Sequence, residues 1–416
     1  MNAKVLLLSC VVAAILVFQP YIQMVVELRL PFWHIDTPIA DVVGLVLLLS
    51  CPLWLQMETR CKIPPLAPAW YGVFLLAALL STITFQNTFA DYSAIDSLKW
   101  TLRKPVFFYL AYGFALPLAI SRCPERLMIR VLWAALATVV VLSIITSIGR
   151  IMAGKGFWWQ AIPGLTNNHK TLAVWLAPWV PWLWFKRKEK VFLLLLICAA
   201  AALVLSSSKA ALLSAVLGVL WWLPYGRQHL FSRARVVLST AIVCFGLSVG
   251  IPSTLHSPTI LAELDDRIHL SVRMRMLLDA ARSRHSLNLR AWEQFGARPL
   301  FGTGPGSSTH FEMHTFPHYR VNGVNAHGAP QQLIGETGLI GLGSWMMFLI
   351  HGTKNALTSV GQKENRWAWL GVLFVLHFGL LTSTEVFSMT HWIPLGVGWA
   401  GISGAFSRTS METPCA

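Results

Sequence analysis

Twelve apolar runs divide the chain, near residues 5–26, 42–57, 68–86, 105–121, 131–149, 171–185, 191–208, 210–226, 236–251, 331–351, 367–384 and 386–407. A hydrocarbon core of about 30 Å takes roughly 20 such residues as helix, and only helices and closed barrels satisfy their own backbone there. The runs therefore predict an all-α polytopic membrane protein with about 12 transmembrane helices. The closest decision falls at 191–226, which as one helix would extend about 54 Å at ~1.5 Å per residue. Two spans with an outer turn near Ser206 to Lys209 fit a bilayer better. Only 12% of the 416 residues are charged and 55% are hydrophobic, against about 25% charged in soluble proteins. A soluble enzyme of this length is excluded.

The charges orient the spans. With the N-terminus inside, the cytoplasmic segments hold 17 of the 33 Lys and Arg. The short outer segments hold eight: Arg29, Lys99, Arg103, Lys104, Arg150, Lys155, Lys170 and Lys209. The positive-inside rule then places both termini in the cytoplasm. Three parts follow: residues 1–251 with spans one to nine and short loops, an outer loop over 252–330, and residues 331–416 with three spans and a cytoplasmic tail. Lys4 and the apolar stretch after it resemble a signal peptide, but no small-residue cleavage site follows, so the stretch is expected to stay as the first span. Leu-Leu-Ser-Cys ending at Cys10 has too few residues before it for a lipoprotein signal. The long loop holds none of the seven cysteines, and no disulfide framework is indicated. Set between apolar runs, the excess of +15 points to anionic membrane lipids or a phosphorylated ligand, with no nucleic-acid partner.

The outer loop is where function is expected. It carries Arg267, Arg273, Arg275, Arg282, Arg284, Arg290, Arg298 and Arg320 and no Lys. The planar guanidinium suits two-point contact with phosphate better than an ammonium does. Apolar spacing predicts a helix over 261–284, with its apolar face on the membrane or the bundle. A second helix starts at Ser286 as N-cap, runs through Arg290, Trp292 and Phe295, and stops at Gly296 with Pro299 beyond. Phe301 to Ser308 then form a glycine-rich turn that is either structural or an amide cradle for a phosphate. It lacks a P-loop ending and the strand before a dinucleotide fingerprint, so neither ATP nor NAD is expected. His310, His314 and His318 do not form a zincin pattern, and Pro317 interrupts the helix that would align them, so no metal is expected.

Arg290-Ala291-Trp292, Pro299-Leu300-Phe301-Gly302-Thr303-Gly304, Ala326-His327 and Gly335-Glu336-Thr337-Gly338-Leu339-Ile340-Gly341 agree in order and spacing with a known signature. Together they resemble the O-antigen ligase and O-antigen polymerase superfamily of membrane glycosyltransferases. Ser206 to Lys209 extends the likeness, with Lys209 where the family usually shows Arg, and Gly328 follows His327 where it usually shows Asn. The resemblance implies a GT-C-like fold with one long, mostly helical periplasmic loop in a Gram-negative inner membrane. It also implies transfer of a glycan from undecaprenyl pyrophosphate to the lipid A core oligosaccharide in lipopolysaccharide biosynthesis.

The residue types suit that chemistry. A glycosyl pyrophosphate is already activated, so the protein must supply cations for the departing pyrophosphate and a base for the acceptor hydroxyl. Arg290 and Lys209 are the expected pyrophosphate ligands, and His327 the base, since imidazole titrates near neutral pH. No nucleophile motif is present, so direct attack with inversion is expected. Arg103, Arg150, His169 and Lys170 are further candidates for substrate contact. Glu336 is expected to bind substrate or to orient a loop group. An O-antigen polymerase differs in acceptor, and a protein O-oligosaccharyltransferase transfers to Ser or Thr. A transporter of lipid-linked sugars would need ionisable groups near the bilayer midplane and paired broken helices, whereas here the charges gather at the outer edge.

Overall fold

A computed structural model describes residues 3–18, 25–30, 33–58, 63, 66–83, 93–152, 169–205, 209–220, 289–309, 328–358, 363–382 and 389–406. It is a helical bundle, and eleven of the twelve apolar runs coincide with helices. These are α1 (Ala3–Phe18), α2 (Ile39–Leu49), α3 (Pro68–Ile83), α4 (Ala94–Arg122), α5 (Glu125–Met152) and α6, whose pieces His169–Leu176 and Val180–Lys186 join through a tight turn at Ala177–Trp179. There follow α7 (Lys190–Leu205), α8 (Lys209–Leu220), α9 (Ala329–Thr358), α10 (Lys363–Thr382) and α11 (Met389–Ile402). The run 236–251 and the predicted loop helix 261–284 lie outside the described residues. α7 ends at Leu205 and α8 starts at Lys209, and residues 206–208 of the expected turn lie outside the described residues.

Among the described residues, three helical stretches, Ala94–Arg122, Glu125–Ile145 and Ala329–Gly352, are long and apolar enough to cross a membrane, and several shorter apolar helices accompany them. This suits a polytopic membrane protein. Leu49 and Ile83 are 72% and 77% exposed, and many other leucines and isoleucines face outward. Such a surface is a liability in water and ordinary in lipid.

The all-α expectation needs one correction. Val25–Leu30 and Trp33–Pro38 form an antiparallel hairpin, β1 and β2, in which Val25 pairs with Pro38 and Leu30 with Trp33. The predicted first span ran to Val26, whereas the chain is already extended at Val25. The physical signal was in the sequence. Val26, Leu28 and Leu30 alternate with Glu27 and Arg29, which is a strand period, and Pro20 cannot donate to a continuing helix.

Aromatic side chains fill the centre. Tyr71 stacks on Tyr109 at 4.1 Å between ring centroids, and Phe74, Trp345, Phe348 and Trp392 close around them from α3, α9 and α11. Pro105 interrupts α4, which widens into π-helical turns at Leu102–Val106 and Tyr109–Ala115. The carbonyl of Pro105 accepts the Tyr71 hydroxyl at 2.7 Å, so the widened turn is tied to α3. Small residues bring the helices close: a Cβ on Gly396 of α11 would strike the Tyr112 carbonyl of α4.

Contacts sort by side as alternate crossing requires. Groups assigned to the outer face meet one another: the Ser81 hydroxyl donates to the Glu336 carbonyl at 3.0 Å, and the Ser97 hydroxyl to the Pro305 carbonyl at 3.1 Å. Groups assigned to the inner face do the same. The Arg122 guanidinium lies over the Trp54 ring at 5.3 Å, and Gly352 on α9 comes up against Leu66.

Candidate active site

The ends of α3, α4 and α9 assigned to the outer face form a floor, and residues 289–309 fold onto it. Residues 289–297 are helical, as the Arg290, Trp292 and Phe295 spacing predicts, and they end just short of Pro299. Trp292 packs edge-on to Phe295 at 5.7 Å, which seats the helix on its apolar side. The opposite side carries Arg290, 3% exposed, and the fully buried Gln294.

The segment after this helix is clamped to α9 by backbone. The amides of Thr303 and Gly304 donate to the carbonyls of Gly335 and Glu336 at 3.0 and 2.9 Å. On the other side of the crossing, the amides of Leu339 and Ile340 donate to Pro299 and Leu300. This exchange is possible because α9 breaks at Gly338, with φ 65 and ψ −166, a conformation essentially reserved for glycine. Gly302, with φ 72, faces it. A Cβ on Gly302 would collide with the Glu336 and Thr337 backbone, and one on Gly338 with the Leu300 backbone. Each glycine is needed because the other strand of the crossing lies against it.

Side chains complete the clamp. The Ser308 hydroxyl donates to Glu336 Oε1 at 2.6 Å, and Gln332 Nε2 donates to the same oxygen at 3.3 Å. The amides of Gly306 and Ser308 also hydrogen-bond this carboxylate. Arg290 Nη1 donates to the Ser308 carbonyl at 3.0 Å, so Arg290 and Glu336 hold opposite sides of one residue. Gln294 Nε2 donates to the Thr303 hydroxyl at 3.3 Å, and Thr303 and Ser307 share a bond of 2.8 Å. Below, Ser97 also bonds Thr82 at 3.1 Å, and the helix carrying Ser97 starts at a capping box between Ser93 and Asp96.

The glycine-rich turn is therefore no open amide cradle for a phosphate. Its amides at Gly302, Thr303, Gly304, Gly306, Ser307 and Ser308 all have protein acceptors, and the group it surrounds is the protein's own Glu336 carboxyl. Burial pulls the Arg290 pKa below the usual guanidinium value, and Glu293 works against that shift. An arginine so placed still stays cationic at physiological pH, because its ordinary value is above 12.

The other expected site residues fall in different places. Lys209 is the first residue of α8, His169 and Lys170 open α6, and Arg150 lies near the end of α5, each at the helix end that the charge pattern assigns to the outer face. The side chains of these four, and the whole of His327, lie outside the described residues, as do His310, His314 and His318. Arg103 is exposed on the first widened turn of α4, about 9 Å along the helix from Ser97 at ~1.5 Å per residue. Beside it, Lys104 lies over the Trp100 ring at 5.4 Å.

Residues 193–346 match the family model described as O-antigen ligase. The O-antigen ligase match opens in α7 and closes in α9. It takes in Lys209, Arg290, His327 and Glu336 and leaves out Arg103, Arg150, His169 and Lys170. No curated protein matches the chain. Within the matched stretch, sequence reasoning missed Ser308, Gln294 and Gln332, which carry the contacts around Arg290 and Glu336. Outside it, reasoning missed Ser81 and Ser97 on the floor, and Asp41, a buried carboxyl on α2 that accepts from the Tyr112 hydroxyl at 3.1 Å and is attracted by Arg103 and Lys104. Buried serines in an apolar run leave no periodic trace. Asp41 was visible as an acid opening an apolar helix.

Proposed function

We propose that the chain is an O-antigen ligase, moving a glycan from undecaprenyl pyrophosphate to the lipid A core oligosaccharide on the periplasmic face of a Gram-negative inner membrane. The observation that carries this reading is the O-antigen ligase match over 193–346, which includes the three residues in which the reaction's charge and proton chemistry would reside. The buried, cationic Arg290 at the outer end of the bundle supports it. In this reading residues 1–251 and 331–416 are the membrane parts, and 252–330 is the loop that completes the site.

The reaction forms a bond from an acceptor sugar oxygen to the anomeric carbon and breaks the bond from that carbon to the pyrophosphate oxygen. The electron pair leaves with undecaprenyl pyrophosphate, and the acceptor proton passes to His327. Arg290 and Lys209 hold the leaving group, each charged hydrogen bond contributing about 1.5–3 kcal/mol. Attack from the opposite face inverts the anomeric centre. Arg103, Arg150, His169 and Lys170 are candidates to hold the phosphorylated acceptor. No ATP, NAD or metal enters this scheme.

The test is transfer by the purified protein in proteoliposomes, given undecaprenyl-pyrophosphate glycan and lipid A core. A core-linked product of inverted configuration, formed equally well in the presence of a chelator, is expected. Activity lost on chelation and restored by a divalent cation would contradict the metal-free scheme. Elongation of one lipid-linked glycan by another, with lipid A core ignored, would instead make the protein a polymerase.

A further inference from the structure

We propose that Glu336 is a positioning residue: its carboxyl is an internal hydrogen-bond acceptor that shapes the turn at 302–308 and, through Ser308, sets the guanidinium of Arg290. The proposal rests on the reading of Arg290 as the cation for the donor's pyrophosphate. It differs from direct substrate contact by Glu336, and the geometry separates the two.

Glu336 has no exposed surface, and its four polar neighbours are all donors: the Ser308 hydroxyl, the Gln332 amide, and the backbone amides of Gly306 and Ser308. The backbone amides and the Gln332 amide can only donate, so this set holds the carboxyl through its acceptor oxygens. The amides of Gly306 and Ser308 turn inward, and the chain fills the concavity between them from α9. The consequence for Arg290 is direct. Ser308 donates to Glu336 from its hydroxyl and amide and accepts from Arg290 at its carbonyl, at 3.0 Å. Moving the carboxylate moves that carbonyl, and with it the guanidinium plane.

The backbone clamp locates the same device on the membrane frame. The Glu336 carbonyl accepts from Gly304 and from Ser81 of α3, so the residue that shapes the turn is pinned to a transmembrane helix by its own main chain. The turn is thus held at fixed depth, and Arg290 with it.

Glu336→Gln is the informative change, because it keeps size and one oxygen but turns an N–H pair toward donors. In proteoliposomes the expected result is a rise of about tenfold in the donor's KM with the acceptor's KM unchanged, as for lost ground-state binding. A purely structural fault would lower the active fraction, reducing kcat with both KM values intact, and that result would overturn the proposal. A double-mutant cycle adds a second reading. In an Arg290→Ala background, Glu336→Gln should cost less than about twofold more, because the two act as one unit. Multiplying effects would overturn the proposal.

Hydrogen exchange keeps the test separate from the function reading. Exchange of the 301–309 amides should quicken at least about tenfold in Glu336→Gln, and unchanged protection overturns the positioning claim. If the wild-type protein transfers no glycan while exchange responds as expected, the function reading fails and the shaping of the turn by Glu336 stands.

Discussion

The two halves of α9 are built on opposite rules. Before Gly338 the helix carries Gln331, Gln332, Glu336 and Thr337, and every residue from Ala329 to Thr337 is buried. After it, as far as Ile350, the helix is apolar but for Ser344, with Leu339, Ile340, Met347 and Ile350 exposed along its sides and Trp345 and Phe348 in the aromatic centre. The first half buries polar groups and must therefore satisfy them from specific neighbours, which fixes its position. The second half needs only shape, because lipid and apolar side chains are interchangeable surroundings for it. A site requires the first kind of structure, and a span is content with the second.

The largest effect expected is on the apolar half. Trp345→Ala removes a ring that touches Tyr71, Phe74, Phe348 and Trp392, and should cost about 3 kcal/mol or more by thermal unfolding in detergent. Transfer per folded molecule should be nearly unchanged, and a large loss of specific activity would break the division between the halves. Gly338→Ala comes next, at about 1–3 kcal/mol from forbidden backbone geometry, more if the collision with Leu300 is not relieved. Here specific activity should fall sharply, because the crossing carries Arg290. Ser97→Ala, which unties α4 from Pro305, should cost about 1 kcal/mol with a modest loss of transfer. Leu339→Ala, on the exposed side just past the break, should stay within about 0.5 kcal/mol. A larger shift would show that this side chain has a partner.

The same contrast explains what the sequence made legible. Spans are read from hydrophobic length, and the runs at 131–149 and 331–351 lie within α5 and α9. The helix around Arg290 was readable because Ser286, Gly296 and Pro299 punctuate it. The hairpin was misread because Val25 and Val26 look like the end of an apolar run until their alternation with Glu27 and Arg29 is weighed. The glycine turn could be located but not interpreted. Nothing local in Phe301 to Ser308 tells that its amides face Glu336, some 30 residues on, and that bond exists only because α9 breaks at Gly338. Contacts such as Ser81 to Glu336 and Ser97 to Pro305 join residues more than 200 positions apart and depend on how the helices assemble.

The central claim is that this chain joins finished glycan to lipid A core, and a strain lacking the gene tests it most directly. Its lipopolysaccharide and its undecaprenyl-linked glycan would be resolved together, with complementation by wild type and by His327→Ala. The account predicts bare lipid A core alongside accumulated long glycan on undecaprenyl pyrophosphate, corrected by wild type and not by His327→Ala. Core bearing a single repeat would make the chain a polymerase, and an unchanged profile would contradict the account outright.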